Sequence, residues 1–159
     1  MFKNILLGLD GSAESTRALE LARKIAAEDA AVHIAIVHVR EFMIAGRAGM
    51  QTTRADEEDL EAIVRKQADD LATGGTDVTL TVVSSTTGGP AHVLAGQAEK
   101  SGADVIIVGT RGHTGLAGLL LGSVTQRLLH ISPCPVMAVP APIGAKHGAE
   151  QSEIAATAV

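Results

Sequence analysis

Short apolar runs alternate with helical patterns along the chain, which predicts a parallel β-sheet joined by crossover helices. Most of the predicted strands are nearly continuous aliphatic runs, as is typical of strands covered on both faces. The third strand instead alternates aliphatic residues with threonines, which predicts a wetter face near a sheet edge. The five predicted strands span about 4–9, 31–39, 77–84, 104–108 and 136–139.

Four helices are predicted between these strands, where apolar residues recur every three or four positions. Ser12 is a predicted N-cap of the first helix, and Pro90 is predicted at the first position of the third. The second helix is expected over about 55–71 and the fourth from near Gly122. A polar loop that contains glycine is predicted over 40–53. The inner face of the second helix is expected to consist of Leu60, Ile63, Val64, Ala68 and Leu71.

Five parallel strands with right-handed crossovers leave few topologies. We predict an α/β fold with a doubly wound five-stranded parallel sheet, strand order 3-2-1-4-5, and helices on both faces. In this order the first and fourth strands are neighbours, and the winding reverses between them. The crevice beyond their carboxyl ends is then the expected ligand site.

Two glycine-containing motifs follow the strands that border this crevice. Leu9-Asp-Gly11 follows the first strand, and Gly109-Thr-Arg-Gly112, nine residues and Gly122-Ser123 follow the fourth. Glycines let the main chain approach an anion closely, and free amides at a helix start point at it. The convergence of the two motifs predicts a phosphate-binding site. The alternative interpretation is a glycine-rich connector without a ligand.

The residues of the motifs suit a polyphosphate. Gly112 and Gly122 are expected to adopt a positive φ or to permit an approach that a Cβ would block. Ser123 offers a hydroxyl and an amide, and Arg111 adds positive charge. The carboxylate of Asp10 suits hydroxyl or amino groups, or a metal ion that bridges to phosphates. The motif lacks the lysine of the phosphate loops that serve fast phosphoryl transfer.

Composition narrows the class of protein further. The chain has 159 residues, 46% hydrophobic and 19% charged, which suffices for one domain with a core. A formal net charge of −5 and only two aromatic residues argue against nucleic acid as a partner. The single cysteine, Cys134, suits a reducing cytoplasm. The sequence contains no uninterrupted apolar stretch of about 18 residues, so no membrane span is predicted. The first apolar run is too short for a signal peptide.

Other candidate residues carry less chemistry. The six histidines lack the spacing of a zinc site, and His38 is interpreted as a structural or site-lining residue. The acidic run 56–59 is interpreted as a solvated helix start. No Ser-His-Asp arrangement is predicted, and no catalytic residue is assigned. The segment 141–159 has no apolar face, and we expect it to be disordered.

With these motifs the sequence resembles the universal stress proteins of the nucleotide-binding kind. The resemblance covers about residues 1–140, which predicts a single domain. It implies a fold like that of the adenine nucleotide alpha hydrolases, ATP as the ligand, and magnesium or manganese with the triphosphate. It is carried by the spaced glycine motif together with Ile5-Leu-Leu-Gly-Leu-Asp-Gly-Ser12, Val37-His-Val39 and Ser132-Pro-Cys-Pro-Val136.

Residue by residue, the resemblance implies contacts with the nucleotide. Asp10 would lie near the adenosine part, and the main chain of Val39 would face adenine. Leu9 and Arg111 join the expected binding residues from the two motifs. The ribose, the phosphates and the helix start would involve Gly109, Gly112, Gly122, Ser123, Val124 and Thr125.

The expected function is that of an ATP-binding, nucleotide-dependent regulatory module in stress response. Three alternatives stay open: a slow ATPase or self-phosphorylating enzyme, a binder of AMP or cyclic AMP, and an interaction protein with an empty cleft. The last predicted strand, Val136–Val139, lies at a sheet edge without the charges that normally blunt an edge. We therefore predict an antiparallel homodimer through this strand, which the resemblance also implies.

Overall fold

The computed structural model describes residues 2–45, 50–53, 57–85, 87–112 and 121–140. The predicted disordered segment 141–159 lies outside these residues. The described elements are β1 (Asn4–Gly8), α1 (Ala13–Ala27), β2 (His33–Arg40), β3 (Phe42–Ala45), β4 (Met50–Thr53), α2 (Glu57–Thr73), β5 (Asp77–Ser84), α3 (Gly89–Ser101), β6 (Val105–Gly109), α4 (Ser123–Ile131) and β7 (Val136–Val139).

Five of the strands form one sheet in the order β5-β2-β1-β6-β7. All four pairings are parallel, so the predicted doubly wound order is confirmed. The third predicted strand, β5, lies at an edge as expected. The winding reverses between β1 and β6, and the carboxyl ends of these strands therefore open onto a shared crevice.

Residues of β1 show why the strands read as continuous apolar runs. Ile5 and Leu7 pack into a cluster with α1 and α2 on one face of the sheet. Leu6 packs into a second cluster with α3 and α4 on the other face. All three side chains are buried, because helices cover both faces of the strand. In the part of the chain that the structure describes, no helix combines the length and apolar character needed to cross a bilayer.

The predicted loop over 40–53 is wrong in part, because this segment contains an antiparallel β-hairpin. Phe42–Ala45 pairs with Met50–Thr53 in a separate two-stranded sheet. The connecting residues 46–49 lie outside the described residues. The sequence held a signal for the hairpin: an apolar run, Phe42-Met-Ile-Ala45, directly before a segment that contains glycine.

The predicted inner face of α2 is wrong at Ile63, whose exposure is 44%. The other four residues expected there, at positions 60, 64, 68 and 71, are buried. With a helix turning by about 100° per residue, Ile63 points roughly 100° away from the middle of that stripe. It therefore borders solvent. The start of α3 also differs slightly, because the helix begins one residue before Pro90.

Candidate functional site

A cavity of about 210 Å³ lies at the carboxyl ends of β1, β2 and β6. The two glycine-containing motifs, far apart in sequence, meet around it as the strand order requires. The wall contributed by β2, α2 and α3 is largely apolar and includes Val37, Leu60 and Leu94. Every residue predicted to bind the ligand lines the cavity: Leu9, Asp10, Val39, Gly109, Arg111, Gly112, Gly122, Ser123, Val124 and Thr125.

The start of α4 presents open amides at this cavity. Its N-cap is Gly122, which has no side chain to cap the helix. The N–H of Gly122 donates to the Thr110 carbonyl oxygen at 2.7 Å. Among the residues that the structure describes, the amides of Ser123 and Val124 have no acceptor. Open amides and the helix dipole together favour an anion at this end.

The start of α1 borders the same crevice, and its N-cap residue is engaged within the fold. As predicted, Ser12 is the N-cap, and its hydroxyl oxygen accepts a hydrogen bond from the Ser15 amide at 3.1 Å. The Asp10 carboxylate accepts from the Ser12 amide at 3.0 Å. Gly11 adopts a positive φ of 81° in this turn. The first two residues of α4 line the cavity, whereas the first two residues of α1 do not, so α4 is the helix start that offers amides to a ligand there.

The glycines of the second motif differ from the expectation of a positive φ. Gly122 has a φ of −71°, and Gly112 is not among the glycines with positive φ. At Gly112 a Cβ would collide with the carboxylate of Asp10. At Gly122 a Cβ would lie 3.4 Å from Arg111 Cα, an ordinary contact. Gly112 therefore gives room to a protein side chain, whereas the described residues leave space at Gly122.

Two of the expected binding residues have their polar groups engaged within the fold. The Thr125 hydroxyl, on a side chain that is 3% exposed, donates to the Gly109 carbonyl oxygen at 2.8 Å. This bond fastens α4 to the end of β6. Leu9 is buried, and its amide donates to the Val37 carbonyl oxygen at 3.1 Å. Leu9 and Thr125 therefore shape the cavity, while their polar groups hold neighbouring strands and helices.

Arg111 brings positive charge to the cavity. Its Nε atom is buried and has no hydrogen-bond partner among the described residues. A buried donor without an acceptor costs about 1–3 kcal/mol, so an anionic ligand beside it would be stabilised. Arg111 is the only arginine or lysine among the described residues that line the cavity.

Arg40, at the end of β2, is held by α2 instead. Its Nε donates to Glu61 Oε2 at 2.7 Å, and Arg65 donates to the other oxygen of the same carboxylate. Hydrogen bonds from Arg40 and then Arg65 hold the pKa of Glu61 below its usual value. This group of charges joins α2 to β2 outside the cavity.

A buried His–Glu pair lies in the wall of the cavity and was not predicted from the sequence. His38 Nε2 and Glu57 Oε1 are 2.7 Å apart, and the two side chains are 2% and 4% exposed. The interpretation of 56–59 as a solvated run is therefore wrong at Glu57. A signal existed: Glu57 precedes Leu60 by three residues and Val64 by seven, on the buried stripe of α2.

The family model described as the universal stress protein family matches residues 1–140. Universal stress protein MJ0531 from Methanocaldococcus jannaschii is 36% identical in an alignment of 149 positions that covers 89% of this chain and 84% of that protein. Universal stress protein YxiE from Bacillus subtilis is 31% identical in an alignment of 151 positions that covers 87% of this chain and 99% of that protein.

Solved structures share the same architecture. The hypothetical protein MJ0577 has a TM-score of 0.71 and 25% identity, covering 88% of this chain and 96% of that chain. A universal stress protein crystallised in complex with cAMP has a TM-score of 0.62 and 28% identity, covering 87% and 96%. An Arabidopsis thaliana protein solved with AMP bound shares the fold at 16% identity and a TM-score of 0.60, covering 87% and 92%.

Proposed function

The chain belongs to the universal stress protein family, and from that premise we propose that it binds ATP in the cavity at the carboxyl ends of β1, β2 and β6. The observation that carries this proposal is the open start of α4 at the cavity. The neighbouring Nε of Arg111, buried and without an acceptor among the described residues, supports it. A relative that is 28% identical was crystallised with cAMP, which supports an adenine nucleotide as the class of ligand.

The chemistry of the cavity suggests how the nucleotide lies. The phosphates belong at the amides of Ser123 and Val124, near Arg111, where positive charge and open donors coincide. The adenine ring belongs at the opposite, apolar wall, against the main chain of Val39. Asp10 also lines the cavity, and its carboxylate suits a ribose hydroxyl or a metal ion.

Magnesium or manganese would accompany the triphosphate. Among the described residues, no three His, Cys, Asp or Glu side chains are grouped to hold a metal ion by themselves. Asp10 offers one carboxylate at the glycine motif. This fits magnesium, which keeps several waters and takes ligands from one or two carboxylates and from substrate phosphates. The ion would neutralise phosphate charge beside that carboxylate.

We place this binding in a nucleotide-dependent regulatory module that acts in stress response. Fast phosphoryl transfer has little support, because the glycine motif lacks a lysine. The single cysteine is free, which favours a reducing compartment such as the cytoplasm. A homodimer through β7 belongs to the same proposal, because this short apolar strand forms an edge of the sheet.

Replacing Gly122 by alanine tests the placement of the phosphates. The protein accommodates the added Cβ, which meets Arg111 Cα at 3.4 Å and the Thr110 oxygen at 3.5 Å. A phosphate that approaches the main chain here does not, so calorimetry should show ATP binding weakened about tenfold or more. The matched control is Gly96→Ala on α3, where a Cβ meets no atom within 4 Å. The control should bind ATP like the wild type.

Wild-type affinity in Gly122→Ala would overturn this placement. Competition among ATP, AMP and cAMP then ranks the ligands, because the cAMP complex of a relative makes the cyclic nucleotide the second candidate. Single-turnover assays of the wild type and Asp10→Ala separate binding from slow hydrolysis. ATP that remains intact in the wild-type complex indicates a binding module.

A further inference from the structure

Both ring nitrogens of His38 are engaged in the wall of the cavity. Nδ1 lies 2.8 Å from the carbonyl oxygen of Leu9, and Nε2 lies 2.7 Å from Glu57 Oε1. The imidazole belongs to β2, the carbonyl follows β1, and the carboxylate opens α2. One buried side chain therefore joins three elements around the proposed nucleotide site.

The hydrogen bonds determine where the protons lie. A carbonyl oxygen only accepts, so His38 Nδ1 carries a hydrogen and donates it to Leu9. Nε2 then faces Glu57 with one shared proton, held either by an imidazolium beside a carboxylate or by a carboxylic acid beside a neutral imidazole. Both arrangements leave the pair formally neutral, which limits the cost of burying it. Without that proton, two acceptors would face each other at 2.7 Å.

Both main-chain polar groups of Leu9 are hydrogen-bonded in this arrangement. Its amide donates to Val37 and its carbonyl oxygen accepts from His38, so β2 fixes both main-chain groups. The next residue, Asp10, begins the turn that leads into α1 and lines the cavity. The position of the Asp10 carboxylate therefore depends on the peptide group that His38 holds.

We infer that His38 and Glu57 are positioning residues of the nucleotide site: their shared-proton hydrogen bond fixes the Leu9–Asp10 peptide and the wall that receives the nucleoside. The inference rests on the proposed function, since it assigns the pair a role toward the same ligand. Both residues of the pair lie in the wall of the cavity. Its effect on binding is transmitted through Leu9 and through the start of α2.

Two substitutions of Glu57 separate positioning from mere stability. In Glu57→Gln the side-chain amide donates to the lone pair of a neutral His38 Nε2, so the link survives without the shared proton. In Glu57→Leu the link is lost, and Nε2 stays buried without a partner. At a temperature where circular dichroism shows both variants folded, Glu57→Leu should bind ATP about tenfold more weakly. Glu57→Gln should stay within about twofold of the wild type.

The matched control is His33→Gln, because His33 lies at the amino end of the same strand. Its ring contacts Thr79 and Asp77 instead of the cavity. This variant should bind ATP like the wild type. Without nucleotide, amide hydrogen exchange at residues 10–12 should be faster in Glu57→Leu than in Glu57→Gln or the wild type.

A measurement on the wild type covers the case in which Glu57→Leu does not fold. In protein labelled with ¹⁵N-histidine, the ring signals of His38 should move when ATP is added, and those of His33 should not. Unmoved His38 signals, or full ATP affinity in folded Glu57→Leu, would overturn the positioning role alone. A wild type that binds no adenine nucleotide would overturn the proposed function and, with it, this role.

Discussion

The positions of the spaced motif require glycine for different reasons. Gly109 lets β6 approach α1, because a Cβ there would lie 2.7 Å from Glu14 Cβ. Gly112 leaves room for the Asp10 carboxylate, and at Gly122 the described residues would accommodate a Cβ. The same residue type thus serves packing at one position and, we propose, ligand approach at another.

This difference predicts that alanine substitutions at the two positions reduce folding stability by different amounts. Gly109→Ala should destabilise the fold by about 1–3 kcal/mol, because the new Cβ presses on the main chain of Glu14 and on the Arg111 oxygen. Gly122→Ala should cost less, about 0.5–1 kcal/mol, because alanine is a poorer N-cap residue than glycine. Urea denaturation of both variants measures the two values. Equal stability of the two proteins would show that β6 and α1 adjust without cost.

At the scale of elements, buried parallel strands were the most predictable part of the chain. The bounds of β5 and β7 match the prediction, because turn residues border an unambiguous β-pattern in both. The hairpin β3–β4 was not predicted, because the polar residues and the glycines of 40–53 favour a loop and its two strands are only four residues long. Periodicity alone also misplaced Ile63, which belongs to the helical pattern but borders the stripe.

The candidate site was predictable where it follows from topology and hidden where it follows from tertiary packing. Both glycine motifs had to meet once the strand order was known, because they follow neighbouring strands. His38 and Glu57 lie on different elements, and neither residue reveals its partner in the sequence. Only the packing of α2 against β2 brings them together. The hydrogen bond of Thr125 to Gly109 likewise depends on the angle at which α4 leaves the sheet.

The amino ends of β1 and β6 are joined by a side chain whose effect depends on pH. The Asp104 carboxylate accepts hydrogen bonds from the amides of Lys3 at 2.7 Å and Asn4 at 2.8 Å. The amides of Asn4 and then Lys3 hold the pKa of Asp104 below its ordinary value. This contribution to stability is therefore present above the unfolded pKa of about 3.9. It is lost as the pH falls through the lower pKa of the folded state.

Acid unfolding tests the contribution of the Asp104 hydrogen bonds to stability. Between about pH 5 and pH 2 the wild type should lose more stability than Asp104→Asn, because the variant has no carboxylate to protonate at this position. The melting temperature, recorded against pH for both proteins, measures the difference. Other carboxylates with lowered pKa, such as Asp29 and Glu61, are present in both proteins and cancel in the comparison. Parallel curves would mean that the two amides find equivalent acceptors.

At the scale of the whole molecule, the main-chain groups on the outer edge of β7 are the ones that a second subunit would pair with in the proposed homodimer. Pro135 and Val139 accept through their carbonyl oxygens from Ile106 and Thr110 of the β6 segment. Main-chain groups of successive strand residues point to alternate sides, so those of Val136 and Ala138 face away from β6. An antiparallel partner strand would pair with these groups.

Proline at position 138 tests the proposed homodimer. Ala138→Pro removes an amide hydrogen that faces outward, so the pairing with β6 persists while the outer edge loses a donor. We expect the wild type to be a dimer at micromolar concentration and Ala138→Pro a monomer, as measured by light scattering. Ala138→Val keeps the amide and serves as the control, which should remain dimeric. A monomeric wild type would remove the homodimer from the proposed function.

The hydrogen bond between Thr125 and Gly109 joins α4, at the candidate cavity, to β6, the strand that pairs with β7. If the nucleotide and the partner subunit both bind as proposed, each acts on β6 from its own side, and the two equilibria share one structural element. Thermodynamic linkage then requires reciprocity: whatever factor the nucleotide applies to subunit association, association applies to nucleotide affinity. Dilution of the protein would in that case change how much nucleotide it holds at a fixed nucleotide concentration.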